Sequence, residues 1–349
     1  MGNDAATLTE RILRDHLREG DLSAGETVGI DIDQVLLQDV LGPLVWMEFE
    51  ALGAEDLEIG PVVTYADHQV YGIDEADADT HRYLRTVARR HGGYFSKAGA
   101  GICHQVHRER FIEPGATLLG SDSHSTTMGG FGALGIGAGG LDVAVAMAGE
   151  PYAVEVPEVV AVELSGELPA WAGGKDVILE LLRRGSVNAG VGRVYEFVGS
   201  GVETLSVPER CTIANMTTEL GATSGLFASD ERTREHLVRL GREDAYRPLL
   251  ADEDATYADR IEIDLSEIEP LVAAPSMPDR VAPVREHAGV AVDQVLVGSC
   301  TNGSYHDLAT VASVVDGETV APDTDAIVVP ASKRSVRLLA ETGGTAALY

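Results

Sequence analysis

Short β-branched or leucine-rich runs alternate with amphipathic stretches along most of the chain. Leu8–Leu17 has apolar residues at helical spacing behind Thr7, a suitable N-cap. Val28–Val35 alternates apolar and acidic positions as a strand does, and Gln38–Asp39 opens an apolar helix running through Leu52. Val62–Tyr65 is a short strand leading into Asp67–His68, and Ala76–His91 has helical periodicity. The glycine-rich Gly92–Gln105 ends in a strand or turn that carries His104. Ala116–Leu119 is strand-like and delivers Gly120–His124, after which glycines from 129 to 140 open a helix over Leu141–Ala148. Val154–Leu164 reads as one strand, and Lys175–Arg184 and Glu231–Leu240 as amphipathic helices. Between those helices Asn215 and Glu219 stand four apart, on one helical face. The acidic, Pro-punctuated Glu243–Ser276 is a peripheral loop with one strand, Ile261–Leu265. Val295–Val297 reads as a buried strand ending at Gly298, with Cys300 at its carboxyl edge and a helix over Tyr305–Val315.

Strand–helix alternation of this kind predicts α/β layers with largely parallel sheets. A chain of 349 residues is long for one domain. The expected units are 1–157, 158–277 and an incomplete third over 278–349.

Charge changes the picture most. There are 56 acidic residues against 26 basic ones, a net charge of −30, and only Lys97, Lys175 and Lys333 are lysines. The acids are dispersed, so they form a solvated surface that self-repels in low salt and relaxes when salt screens it. This predicts a halophilic protein and excludes nucleic-acid binding, which needs a basic patch. No apolar run is of membrane-spanning length and no signal-peptide pattern is present, so a cytoplasmic location is expected. Cys103, Cys211 and Cys300 are far apart with no CxxC, which excludes a disulfide framework and a zinc finger.

Polar clusters at strand ends carry the candidate chemistry: Gln38–Asp39, Asp67–His68, His104–Gln105, Asp122–Ser123–His124, Asn215 with Glu219, and Cys300. His–carboxylate pairs drawn from them would suit proton transfer. Cys300 stands near a helix N-terminus, whose positive end favours thiolate. Adjacent Asp122, Ser123 and His124 cannot stack as a hydrolase triad. Gly135–Gly140 satisfies G-x-G-x-x-G but follows another glycine stretch rather than a clean strand, so close packing is the better reading. A mononuclear His/Asp metal site finds no pair with ligand spacing on one element.

Together these stretches resemble the aconitase-type iron–sulfur hydro-lyases. The matching pieces are Gln38–Asp39, Asp67–His68, GICHQV (Gly101–Val106), GSDSH with its following GG (Gly120–Gly130), NMTTELGATS (Asn215–Ser224) and GSCTNG (Gly298–Gly303), in the family's order. The resemblance implies aconitase-like three-layer α/β/α domains around a central cleft, the third incomplete. It also implies a [4Fe–4S] cluster held by three cysteines, with one iron acting as Lewis acid on the substrate. Cys300 matches the first ligand cysteine. By the same carry-over, Gln38 and Ser123 contact substrate carboxylates and Asp67–His68 handle the leaving hydroxyl. Asp122 pairs with His104, Glu219 pairs with His124, and Asn215 lies by the cluster. ELGATS favours citrate/isocitrate interconversion through cis-aconitate, a tricarboxylic acid cycle reaction, over isopropylmalate-, homoaconitate- or methylcitrate-type substrates.

Three departures qualify the match. The family's CxxC ligands, its swivelling last domain and that domain's serine base have no counterpart in this sequence. Leu41–Gly42–Pro43 replaces the usual small-Thr-Gly after QD, and Thr127 stands where many members have asparagine or proline-flanked residues. The expectation is therefore an N-terminal portion, fragment or split-gene product. It would bind a small tricarboxylate and work with a separate chain supplying the rest; a non-catalytic remnant is the other reading.

Overall fold

The computed structural model describes residues 5–348; residues 1–4 and 349, the outer ends of the first and third expected units, lie outside them. Five parallel strands form the sheet that positions the chemistry, in the order Tyr94–Ser96, Val62–Tyr65, Gln34–Gln38, Thr117–Gly120, Leu134–Gly137. Gln34–Gln38 comes first in the chain and sits at the centre. Two further strands are added on one side of it before the chain crosses to the other. The strand order thus reverses between Gln34–Gln38 and Thr117–Gly120, and the loops leaving those two carboxyl ends splay apart into a crevice.

Both faces of this sheet are covered, which is why its strands are continuously apolar. Val35 and Leu37 point into a cluster with Trp46, Phe49, Leu84 and Met147. Leu36 points the other way, among Val106, Phe131 and Cys211. Each fully buried side chain of this size is worth about 1.5–3 kcal/mol.

Two predicted strands are each divided. Val28–Val35 becomes Thr27–Ile30, in a small antiparallel sheet with Leu17–Glu19 and Tyr152–Glu155, and the separate strand Gln34–Gln38. Val154–Leu164 breaks at Pro157, which has no amide hydrogen to continue a ladder, into Tyr152–Glu155 and Glu158–Ser165. A second, all-parallel sheet runs Ser224–Phe227, Arg193–Val198, Glu158–Ser165, Asp259–Asp264. The acidic segment 243–276 therefore contributes a working edge strand rather than only a loop.

The helices over Leu8–His16, Gly174–Gly185, Glu231–Leu240 and Tyr305–Val315 stand within a residue or two of expectation, the first with a complete capping box from Thr7 and Glu10. Among the described residues Gln294–Val297 pairs only with Asp325–Val328. Predicted as buried, it leaves Val295 44 % and Leu296 57 % exposed, because one neighbouring strand and one helix layer cannot cover both faces. No helix among the described residues is long and apolar enough to cross a membrane.

Candidate active site

The crevice at the strand-order reversal gathers most of the predicted residues. Gln38 ends the central strand, its backbone N–H donating to Ser121 Oγ across the reversal at 3.2 Å. Its side-chain Oε1 accepts from Leu41 N at 3.2 Å and from Val40 N, so this glutamine also caps the loop before the Gly42–Ala51 helix. Asp67 and His68 leave the neighbouring strand. Asp122, Ser123 and His124 leave the strand on the other side.

His104 is not on a strand or turn as predicted. It lies in the first turn of the Cys103–Arg110 helix, where the Asp67 carboxylate accepts from Cys103 N at 2.7 Å and satisfies an otherwise unpaired amide. That bond sets the helix so that His104 Nε2 meets Asp122 Oδ1 at 2.9 Å.

Asp122 is the hub. Its Oδ2 lies 3.4 Å from His68 Nε2, and its Oδ1 also accepts from His124 N at 2.9 Å. Burial alone would raise its pKa; hydrogen bonds from His104 and His68 outweigh it and hold the carboxyl well below the usual range. An ionised Asp122 can only accept, so Nε2 of His104 carries its proton. His68 has a carboxylate at each ring nitrogen, Asp122 at Nε2 and Asp67 Oδ1 at 3.1 Å from Nδ1. Those bonds, Asp122's first, push its pKa up to about 10, so the ring is an imidazolium at neutral pH.

Across the crevice His124 Nδ1 meets Asn215 Oδ1 at 3.0 Å, and its Nε2 faces Glu219 Oε1 at 3.7 Å. Asn215 and Glu219 do not share one helix: Val207–Met216 ends between them, and Glu219 rides on a tighter turn over Thr217–Leu220 that closes at Gly221, φ +73°. Asn215 is pinned because its amide nitrogen donates to Thr127 Oγ1 at 2.7 Å, leaving Oδ1 to accept from Thr301 Oγ1 at 2.9 Å. Thr301 is the residue beside Cys300, so this chain of bonds ties the cysteine loop to His124.

The surrounding elements approach closely because of glycines. A Cβ on Gly129 would sit 1.7 Å from Gly225 O, and one on Gly130 would lie 2.5 Å from Cys211 Sγ. The 123–131 segment can therefore lie against the helix that carries Asn215. Gly135 is likewise packed, its Cβ position 2.2 Å from Ser125 O.

Two residues of the network, His81 and Thr301, were not singled out from sequence, and Asp39 was given no role of its own there. Asp39 Oδ1 accepts from His68 N at 2.9 Å, and Oδ2 accepts from Gln69 N at 3.1 Å and His81 Nε2 at 3.0 Å. Asp39 belonged to a recognised motif, but His81 lies inside an ordinary amphipathic helix and nothing local marks it. Thr301 could have been found from its place beside Cys300.

A cavity of about 780 Å³ opens beside the crevice, lined by Gln38, Leu41, Asp122, Ser123, Thr126 and Ile136 among others. Ser123 faces solvent there. A larger cavity, about 1310 Å³, lies at the amino-terminal ends of the same strands and holds none of the predicted residues.

The profile described as "Aconitase family (aconitate hydratase)" matches residues 10–289 and 285–349. The chain belongs to the aconitase family. Its enzyme class is accordingly that of a hydro-lyase. Among relatives, a 3-isopropylmalate dehydratase large subunit of Archaeoglobus fulgidus is 39 % identical over 347 residues, 97 % of this chain and 83 % of the relative. Large subunits from Nitratidesulfovibrio vulgaris and Thermotoga maritima are 40 % and 37 % identical, each over 94 % of this chain and 79 % of theirs. These relatives fit the isopropylmalate-type alternative better than citrate, and they do not support the tricarboxylic acid cycle reading drawn from Glu219–Ser224.

The family generally uses a [4Fe–4S] cluster. Cys300 is half-buried and follows Ser299, whose φ of +79° lies in the left-handed region. Burial pushes its thiol up, with Asp122 adding to the effect, contrary to the thiolate expected from the helix end. The helix begins only after Ser304, too far on for its dipole to dominate. Cys103 and Cys211 are sealed in the apolar core and burial raises both thiols. Donor atoms of Cys103, His104 and Asp122, and of Asp39, Asp67 and His68, lie within 4.8 Å of one another in each group. The second group's oxygens are already engaged by N–H donors. The described residues therefore offer one thiol at the crevice and do not by themselves fit a three-thiolate cluster.

Proposed function

We propose that this chain acts as the large subunit of an isopropylmalate dehydratase-type hydro-lyase, dividing near residues 157 and 277, and that a smaller partner chain completes its cleft. The observation that carries the reading is the unbroken series Asp67–His68–Asp122–His104 at the strand-order reversal. Dehydration removes a hydroxyl from one carbon and a proton from its neighbour, leaving a carbon–carbon double bond. His68, held as an imidazolium by two carboxylates, donates its proton to the departing hydroxyl, which leaves as water. The proton on the neighbouring carbon goes to a base contributed by the partner. Gln38 and Ser123 bind substrate carboxylates, and Asn215 and Glu219 hold His124 toward the same space. Cys300 is the thiol this chain contributes to a cluster.

An alkyl-bearing substrate is favoured by the relatives' names and by the apolar wall of the neighbouring cavity, where Leu41, 41 % exposed, and Ile136 stand beside Gln38 and Ser123. The test compares 3-isopropylmalate with citrate, using anaerobically prepared chain supplemented with iron, sulfide, a small subunit and a polypeptide that supplies the remaining cluster thiolates. Formation of the unsaturated product is followed by ultraviolet absorbance. Preferential turnover of 3-isopropylmalate is expected; equal or better turnover of citrate would overturn the substrate assignment.

A further inference from the structure

A third cavity, about 670 Å³, shares no lining residue with the one beside the crevice. It lies between the Cys103–Arg110, Glu231–Leu240, Tyr305–Val315 and Lys333–Glu341 helices. Arg108, Arg232, Arg239, Arg334, His236 and His306 all line it. Four arginines around one cavity are unexpected in a chain with 56 acids and 26 bases.

Among the described residues only one of the four, Arg239, has a carboxylate partner. Arg108 is only 7 % exposed, donates to Gln105 Oε1, and forms no ion pair among the described residues. Arg232 gives Nε to Glu203 O at 3.1 Å and Arg334 gives Nη2 to Arg239 O, both backbone carbonyls. Arg239 reaches Glu235 at 3.7 Å. The other acid on the wall, Glu109, is engaged through Oε1 by Gln105 Nε2 at 2.7 Å and Ser332 Oγ at 2.8 Å. The local field is positive: burial, then Arg108, Arg239 and Arg334, press His236 down to about 3. A buried guanidinium without a counter-charge is costly, and neighbouring ones repel it. The natural relief is a bound oxyanion, which arginine's planar fork takes up through paired N–H donors.

The geometry points to a binding site for a phosphate group here, either free phosphate or a phosphate monoester, set between the helix that carries His104 and the helix that follows Cys300. Tyr305, Leu338 and Leu240 supply an apolar wall that would cover an organic remainder. Occupation would join the Cys300-bearing segment to the body of the protein through Arg334 on one side and Arg108 on the other.

Isothermal titration at constant ionic strength, with inorganic phosphate and phenyl phosphate as probes, tests this on the whole chain. Saturable one-to-one binding of either is expected; tighter binding of phenyl phosphate assigns the site to esters, and equal binding assigns it to free phosphate. Arg334→Gln and Arg239→Gln, both near the surface, should each weaken binding at least about tenfold, the scale of one lost charge-assisted hydrogen bond. Arg108→Gln should do more if it folds, but the surface pair carries the test without it. Arg183→Gln, on an exposed helix face elsewhere, should leave binding unchanged. Absence of saturable binding by both probes, or unaltered binding by the Arg334 and Arg239 variants, would overturn the assignment.

Discussion

Replacing Asp122 by Asn removes the charge that two imidazoles share while keeping the side chain's size. His68 has Asp122 3.4 Å from Nε2 and Asp67 3.1 Å from Nδ1, and these hydrogen bonds raise it from an ordinary 6.5 to about 10. An opposite charge at such range moves a pKa by about 1–3 units. With Asp122 neutral and Asp67 kept, His68 should therefore titrate about 1–3 units lower and still above 6.5. Each unit is about 1.4 kcal/mol between the two protonation states. With the His68 side chain 35 % exposed, solvent screening lets only part of that reach folding stability. Because the folded pKa is the higher one, the stabilisation is complete below about 6.5 and is lost as pH rises through about 10. In Asp122→Asn the loss should begin at the same pH, be complete at a lower one and be smaller. Titration of the histidine Cε1–H resonances by NMR, with thermal melts at pH 6 and pH 9, reads both effects. A His68 that titrates near 6.5 in the wild type, or identically in the two proteins, would refute the two-carboxylate account.

Glu219→Gln should lower kcat by about 10²–10⁴-fold with a smaller change in KM, since an orienter of an acid–base histidine acts mainly on turnover; steady-state kinetics of the assembled enzyme check it, and normal turnover makes the Glu219–His124 pair structural. The net charge of −30 should give a melting temperature that climbs from low to molar salt, where the Debye length is about 3 Å; a flat or falling series rejects halophilic adaptation. Gly130→Ala places a methyl group 2.5 Å from Cys211 Sγ and 2.6 Å from its backbone nitrogen, and overpacking of that kind should cost about 1–3 kcal/mol in urea unfolding. An unchanged urea midpoint would show that the two elements are not locked together there.

The chemistry was more legible than the local structure. Strand-end polar clusters could be read directly, because an open parallel sheet presents its ligands at carboxyl ends, and Gln38, Asp67 and Asp122 all stand just there. Boundaries failed where tertiary contacts decided them. The glycine-rich Gly92–Gln105 predicts a strand or turn at His104. The helix instead starts at Cys103, where Asp67, 36 residues earlier, accepts its first amide. Val295–Val297 carries the composition of a buried strand, yet burial depends on neighbours that no pattern within those residues can report.

Distance along the chain explains why His81 and Thr301 escaped notice while the glycines that bring their partners together were visible but unreadable. Gly129 and Gly130 look like flexible punctuation, and a G-x-G-x-x-G match follows them. Their function emerges only when a Cβ is placed on each and meets Gly225 O or Cys211 Sγ. Without that close approach the helix ending at Met216 would stand off the 123–131 segment, and Asn215 could not reach both His124 and Thr301. The link from Asp122 to Cys300 thus runs Asp122–His124–Asn215–Thr301, through one backbone amide and three side chains supplied by three distant stretches. A substitution that widens the glycine contact should therefore reach the cysteine loop and His124 together, although it touches neither.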